Sequence, residues 1–192
     1  MTLQSLDTNL LLFCNRGIIN SWFDVLMPVL SYQGYLLATP FLIYIIIRGS
    51  IRDSTEGKRH ILTALSTIVI ACGAVYLGVL TEDFLKEQIG RMRPCKVIEG
   101  IRLISNCPKS FSMPSGHAIS SFAFALPLYY MTRVFIPWRW RIYPLVLASM
   151  IAFSRLYLGV HYPADVMAGA LLGATIGITL SWLHQKIFAG RR

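Results

Sequence analysis

The sequence is short of charge. Only 14% of its 192 residues are Asp, Glu, Lys or Arg, while 55% are hydrophobic and 12% aromatic. A water-soluble domain carries about a quarter of its residues as charges. The shortfall excludes an ordinary soluble domain, and the hydrophobic excess excludes a disordered or collagen-like chain. A mean hydropathy of +0.56 points the same way. Acidic residues are scarcer still, nine against eighteen Lys and Arg, which leaves a net charge of +9. On a soluble protein that surplus would suggest nucleic acid. On a membrane protein it reports cytoplasmic anchoring or an anionic substrate. Cysteine is also sparse, at four residues, and no Cys/His spacing resembles a zinc site.

What is present is a set of apolar runs. Residues 25–47 and 61–80 carry no charge over 23 and 20 positions, and residues 166–183 none over 18. A membrane span needs about 20 mostly apolar residues. Two shorter runs, 118–132 and 142–154, span only if extended over polar ends. The first extends back over His117 and Gly116, the second past Arg155 to Leu158. The expected fold is therefore all-α, a polytopic transmembrane bundle of about five spans in one domain, 1–192. The N-terminal run 10–14 is too short for a span or a signal peptide, and Asp7 and Arg16 flank it. Leu3, Leu6, Leu10 and Phe13 recur at helical spacing, as in a helix lying in the membrane interface.

Five spans sort the cations. Arg48, Arg52, Lys58, Arg59, Arg133, Arg139, Arg141, Lys186, Arg191 and Arg192 fall on one side, the cytoplasmic side by their number. Arg16 and seven others fall on the opposite side. The inverted topology is the alternative. Trp138, Trp140 and Tyr143 at one end and Trp22 at the other fit interfacial belts. Gly169, Gly173 and Gly177 form two overlapping GxxxG units, which serve either close packing within one chain or a dimer seam.

Three polar clusters gather at the outward ends of the spans. In the first, Lys86 and Arg93 are seven residues apart and can share a helix face, with the chain leaving the helix before Pro94. The second, Pro114-Ser115-Gly116-His117, opens a span and points free N–H groups outward, a ready anion site. The third is Ser154-Arg155 followed by His161 and Asp165, where Asp165 can reach back to His161. Three fixed cations and a helix N-terminus suit a phosphate. Two histidines allow nucleophilic attack on phosphorus and protonation of the leaving oxygen. The cations can neutralise the transition-state charge, so no metal is required. Cys95 and Cys107, twelve apart in the outer loop, are free to form a disulfide if that loop is extracytoplasmic, while Cys14 and Cys72 read as free thiols.

The order Lys-x6-Arg-Pro, Pro-Ser-Gly-His, Ser-Arg-x5-His-x3-Asp over residues 86–165 resembles the three-part signature of the type 2 phosphatidic acid phosphatase (PAP2) superfamily, in its membrane-bound lipid phosphatase branch. The resemblance implies that His161 is the nucleophile, that Asp165 orients it and that His117 is the general acid. It implies that Lys86, Arg93 and Arg155 grip phosphate, with Ser115 and Gly116 adding hydrogen bonds; Ser154 matches the motif without a firm role. It implies no cofactor. Many members have six spans, against five here. The expected substrate is a lipid phosphate held at the outer face of a bacterial inner membrane: undecaprenyl diphosphate, a lipid A phosphate, phosphatidylglycerol phosphate or phosphatidate. Membrane lipids are the expected surroundings and nucleic acid is not a partner. Monomer and weak dimer both stay open. Arg91, Lys96, Arg102 and Lys109 either hold a second phosphate or are solvated loop charges. Alternatives are a lipid-to-lipid phosphotransferase and a non-catalytic lipid-phosphate binding or transport protein.

Overall fold

A computed structural model describes residues 2–51 and 55–189. Its centre is a short helix, α6 (Gly116–Met131), with Ala118, Ile119, Ala123, Ala125 and Leu128 all buried. A helix apolar all round has to be enclosed by protein or lipid. Here α4 (Thr55–Ile89), α7 (Trp138–Tyr157) and α8 (Pro163–Ala189) enclose it. The helix α3 (Thr39–Ser50) packs on α4, and α2 (Ser21–Gln33) packs on α7. An N-terminal helix α1 (Leu3–Leu12) lies across the start of α8, and a one-turn α5 (Pro94–Val97) interrupts the loop from α4 to α6. No strand occurs among the described residues.

Among the described residues, three stretches are long and apolar enough to cross a membrane: Ser21–Ser50, Thr55–Val97 and Pro163–Phe188. The other two expected spans are α6 and α7, which run beside them. α6 has only 16 residues, about 24 Å at 1.5 Å per residue. α7 carries Arg139 and Arg141 at its start and Arg155 near its end. By contrast the 35 residues of α4 extend about 53 Å, well beyond a hydrocarbon core of about 30 Å. The first span is not one smooth helix. A 3-10 stretch, Gly34–Ala38, separates α2 from α3, where glycine weakens the helix and Pro40 restarts it.

The three seam glycines settle what they pack against. A methyl at Gly169 would come 2.5 Å from the Ser115 carbonyl oxygen, one at Gly173 would overlap the Ile119 carbonyl, and one at Gly177 would sit 3.0 Å from the Ala123 carbonyl. The stripe therefore seats α8 against α6 inside one chain, the first of the two uses read from the sequence.

The two ends of the bundle differ in charge. Arg59, His60, Arg133 and Gln185 line one cleft at the end where α4 begins and α8 finishes, and Arg48 lines a neighbouring one. Trp138 and Trp140 are exposed at that end, while Trp22 is exposed where α2 begins. Of the expected cytoplasmic cations, Arg52, Arg191 and Arg192 lie outside the described residues. On α1, Leu3, Leu6, Leu10 and Phe13 just beyond it are exposed while Asp7 and Leu11 are buried, the sidedness of a helix lying along a membrane surface.

The opposite end is organised by the long segment between α4 and α6. Asn15, presented by a π-helical turn (Phe13–Gly17), is fully buried and ties three strands of chain. Its amide donates to the carbonyls of Arg102 (2.8 Å) and Tyr157 (2.7 Å) and accepts from Arg102 N (2.8 Å). A disulfide joins Cys95 to Cys107, and Cys14 and Cys72 are free.

Candidate active site

The chemistry-bearing side chains reach one end of the bundle by separate routes. Lys86 comes from the last turns of α4. That helix stops at Ile89 because Gly90 adopts φ +61°, with its N–H returning to the Lys86 carbonyl at 3.0 Å. Arg93 is therefore not on the same helical face as Lys86, and that part of the sequence argument is corrected. It arrives on extended backbone, φ −71° and ψ 146°, as a residue before proline must. Ser115, Gly116 and His117 form the first turn of α6. Arg155 comes from the last turn of α7, His161 from the turn after it, and Asp165 from the first turn of α8.

These routes converge. Arg93 Nη1 lies 2.9 Å from His161 Nε2, and the same guanidinium donates to the carbonyls of Val160 (3.0 Å) and Ser110 (2.8 Å) and to Ser110 Oγ (3.1 Å). A guanidinium only donates, so Nε2 must be the lone-pair nitrogen and Nδ1 carries the proton. That Nδ1 faces Asp165 Oδ2 at 3.6 Å, an ion-pair distance just beyond a hydrogen bond. Burial pushes the His161 pKa down to about 3, against the Asp165 carboxylate, which favours the charged form, and with the help of Arg93 and Arg155. The ring is neutral at pH 7.

Around this pair the charges are concentrated and buried. Lys86, Arg93 and Arg155 are 7%, 3% and 4% exposed. Arg155 donates to Ser31 Oγ on α2, beside the break in the first span. His117 lies within electrostatic reach of Arg155, Lys86 and Arg93, against the Ser31 backbone. Ser115 N donates to the Asp165 carbonyl at 3.0 Å, and its hydroxyl is buried without a partner among the described residues. Ser154 differs. Its hydroxyl donates back to Ile151 O at 2.6 Å in its own helix, so it supports α7 rather than facing the cluster.

Several further side chains join the cluster. Glu82, one turn before Lys86, accepts from the Lys86 ammonium and presses its carboxylate onto Gly116. Ser112 donates to Asp165 Oδ2 at 2.5 Å. Arg91, read as a hold on a second phosphate or a solvated charge, is neither: it bridges Asp165 (2.7 Å) and Asp7 (2.5 Å). Arg102 is bound to Asp24, and Lys96 donates to the Lys109 carbonyl at 2.7 Å. Among the described residues no three His, Cys, Asp or Glu side chains stand together as a metal site.

Residues 36–189 match the PAP2 superfamily. The chain belongs to that family. Across 97% of its length it is 31% identical to the lipid A 4'-phosphatase of Bacteroides thetaiotaomicron, covering 80% of that protein. It is 32% identical over 100 residues to the undecaprenyl-diphosphatase of Sulfolobus acidocaldarius, covering 52% of this chain and 47% of that one. Among solved structures, Aquifex aeolicus LpxE matches with a TM-score of 0.69 at 26% identity, over 94% of this chain and 98% of that one. This PAP2 chain is an integral-membrane lipid phosphatase.

Proposed function

We propose that the chain, as one domain, removes phosphate from a membrane lipid through a phosphohistidine on His161. The observation that carries the reading is the gathering of three buried cations about two histidines: Arg93 and Arg155 act on His161, and Lys86, held by Glu82, acts with them on His117. Buried cations are costly unless an anion joins them, and a phosphate group is the anion that three of them fit.

In the proposed first step, His161 Nε2 attacks phosphorus and the bond to the lipid oxygen breaks. His117, which takes up a proton from solvent as the phosphate anion enters beside it, gives that proton to the leaving oxygen, and Asp165 holds the Nδ1–H of the charged His161 ring. Lys86, Arg93 and Arg155 take the three equatorial oxygens, where charge spreads in the transition state, and Ser115 and the Gly116 amide add hydrogen bonds. In the second step, water gives a proton to His117 and its oxygen attacks phosphorus. The P–N bond breaks and orthophosphate leaves.

We rank lipid A phosphate first and undecaprenyl diphosphate second among the headgroups, a ranking supported by the similarity to a lipid A 4'-phosphatase and an undecaprenyl-diphosphatase. The end opposite the Arg59–Arg133 cleft is the catalytic face, assigned to the periplasmic side of a bacterial inner membrane by the bias of cations to the cytoplasm. The test is phosphate release in detergent, with EDTA, from lipid A, undecaprenyl diphosphate, phosphatidylglycerol phosphate and phosphatidate. The wild type releases phosphate from at least one, and His161→Ala abolishes both release and the alkali-stable phosphoenzyme. Release undiminished by His161→Ala, or none from any lipid by the wild type, defeats the reading.

A further inference from the structure

Asp165 is completely buried and both its oxygens are engaged. Oδ2 accepts from Ser112 Oγ and from Tyr162 N (2.9 Å), and it is the oxygen that faces His161. Oδ1 is held by Arg91 Nη1 at 2.7 Å. The second nitrogen of that guanidinium donates to Asp7 Oδ2 at 2.5 Å, and the remaining Asp7 oxygen accepts from Ala164 N at 2.8 Å, the residue before Asp165. Asp7 thus grips both the arginine that holds the carboxylate and the helical turn that carries it. The Arg91 guanidinium also lies 4.0 Å over the Tyr162 ring, so its plane is fixed.

A helix that only anchors the chain at a membrane needs apolar side chains. On α1 those are Leu3, Leu6, Leu10 and the following Phe13, all exposed, whereas Asp7 is turned inward and 9% exposed. Burying a carboxylate is costly, and here each of its oxygens is spent within reach of one residue, Asp165.

We propose that Asp7 and Arg91 are positioning residues for the hydrolysis. Together they lock the Asp165 carboxylate so that Oδ2 stays aimed at His161 Nδ1, which makes α1 part of the catalytic apparatus. The inference rests on the phosphohistidine reading of His161. Neither residue belongs to the cation cluster that grips phosphate. Their loss should slow attack on phosphorus and leave phosphate binding alone.

The experiment uses the full chain in detergent and the most active of the four lipid phosphates. Asp7→Asn and Arg91→Gln are expected to lower kcat about tenfold, the scale of losing a partner that orients a reacting group. KM and the inhibition constant of orthophosphate should stay within about twofold on the same argument, and the phosphohistidine should form about tenfold more slowly. Asp7→Glu should recover most of kcat, because the carboxylate returns. Arg91→Lys, which keeps the charge but cannot bridge Asp7 and Asp165 with two nitrogens, serves if the harsher variants do not fold, and it too is expected to lower kcat. An unchanged kcat with a lowered melting temperature would reduce the pair to a structural tie. A rise in the orthophosphate constant matching the fall in kcat would make it part of the phosphate grip. Either result overturns the proposal while leaving His161 as nucleophile; activity that survives His161→Ala overturns both.

Discussion

The Lys86 ammonium donates to the carboxylate of Glu82, one helical turn earlier on α4, and that carboxylate lies against Gly116 at the start of α6. An anion therefore already sits where a helix N-terminus and a cation meet, the place a phosphate oxygen would take. On the proposed reading, substrate phosphate displaces it. Glu82→Gln keeps the shape and removes the competing charge. Inhibition by orthophosphate should tighten about tenfold, the equivalent of about 1.4 kcal/mol. An unchanged inhibition constant would show that Glu82 does not compete for the phosphate position.

His161 supplies a pH signature of folding. Its pKa in the folded chain is about 3, chiefly through burial, against an ordinary value of 6.5. The unfolded chain binds the proton first. The stability from a buried neutral ring is thus complete above about pH 6.5 and is lost as pH falls towards 3. Thermal unfolding in detergent should show the melting temperature of the wild type dropping across this window. The drop should be shallower in His161→Gln, which does not titrate. Parallel curves would mean that His161 is protonated equally in both states.

The seam between α6 and α8 offers a matched pair of substitutions. A methyl at Gly173 meets backbone, the Ile119 carbonyl, which cannot rotate away, whereas a methyl at Gly73 meets nothing within 4 Å. Gly173→Ala should destabilise by about 1–3 kcal/mol through overpacking. Gly73→Ala should be neutral or stabilise by up to about 1 kcal/mol, since alanine favours helix over glycine. Equal melting temperatures for the two variants would contradict the seam.

The helices and the three motif clusters were legible because each is local: apolar run length marks spans, and Pro, Ser and Gly before such a run mark helix starts. The end of α4 was legible in principle from Gly90, but Pro94 drew the boundary three residues too late. Glu82 was also within reach, since Glu followed by Lys at four residues is a familiar helical pair. The hold on Asp165 was not. Asp7 and Arg91 are 84 residues apart, Arg91 and Asp165 are 74 apart, and no periodicity links them. Asn15 is hidden for the same reason, as its partners are backbone groups of Arg102 and Tyr157. Local pattern reports which residues can be functional; contacts across the bundle decide what holds them.

The loop between α4 and α6 gives a redox prediction. The Cys95–Cys107 disulfide closes the segment that carries Arg102 and leads into Ser110 and Ser112. Ser110 binds Arg93 and Ser112 binds Asp165, so disorder in this loop reaches both of those side chains. A link across a loop of this size contributes about 3 kcal/mol by restricting the unfolded chain. Replacing both cysteines by serine should lower the melting temperature by several degrees, on the order of 2–4 °C per kcal/mol for a chain of this length. It should also reduce kcat, because Ser110 and Ser112 lose their fixed positions. Adding reductant to the wild type should reproduce both effects and have no effect on the double variant. If reductant changes the double variant as much as the wild type, the effect comes from elsewhere, and the loop is held by Asn15 and Arg102 alone.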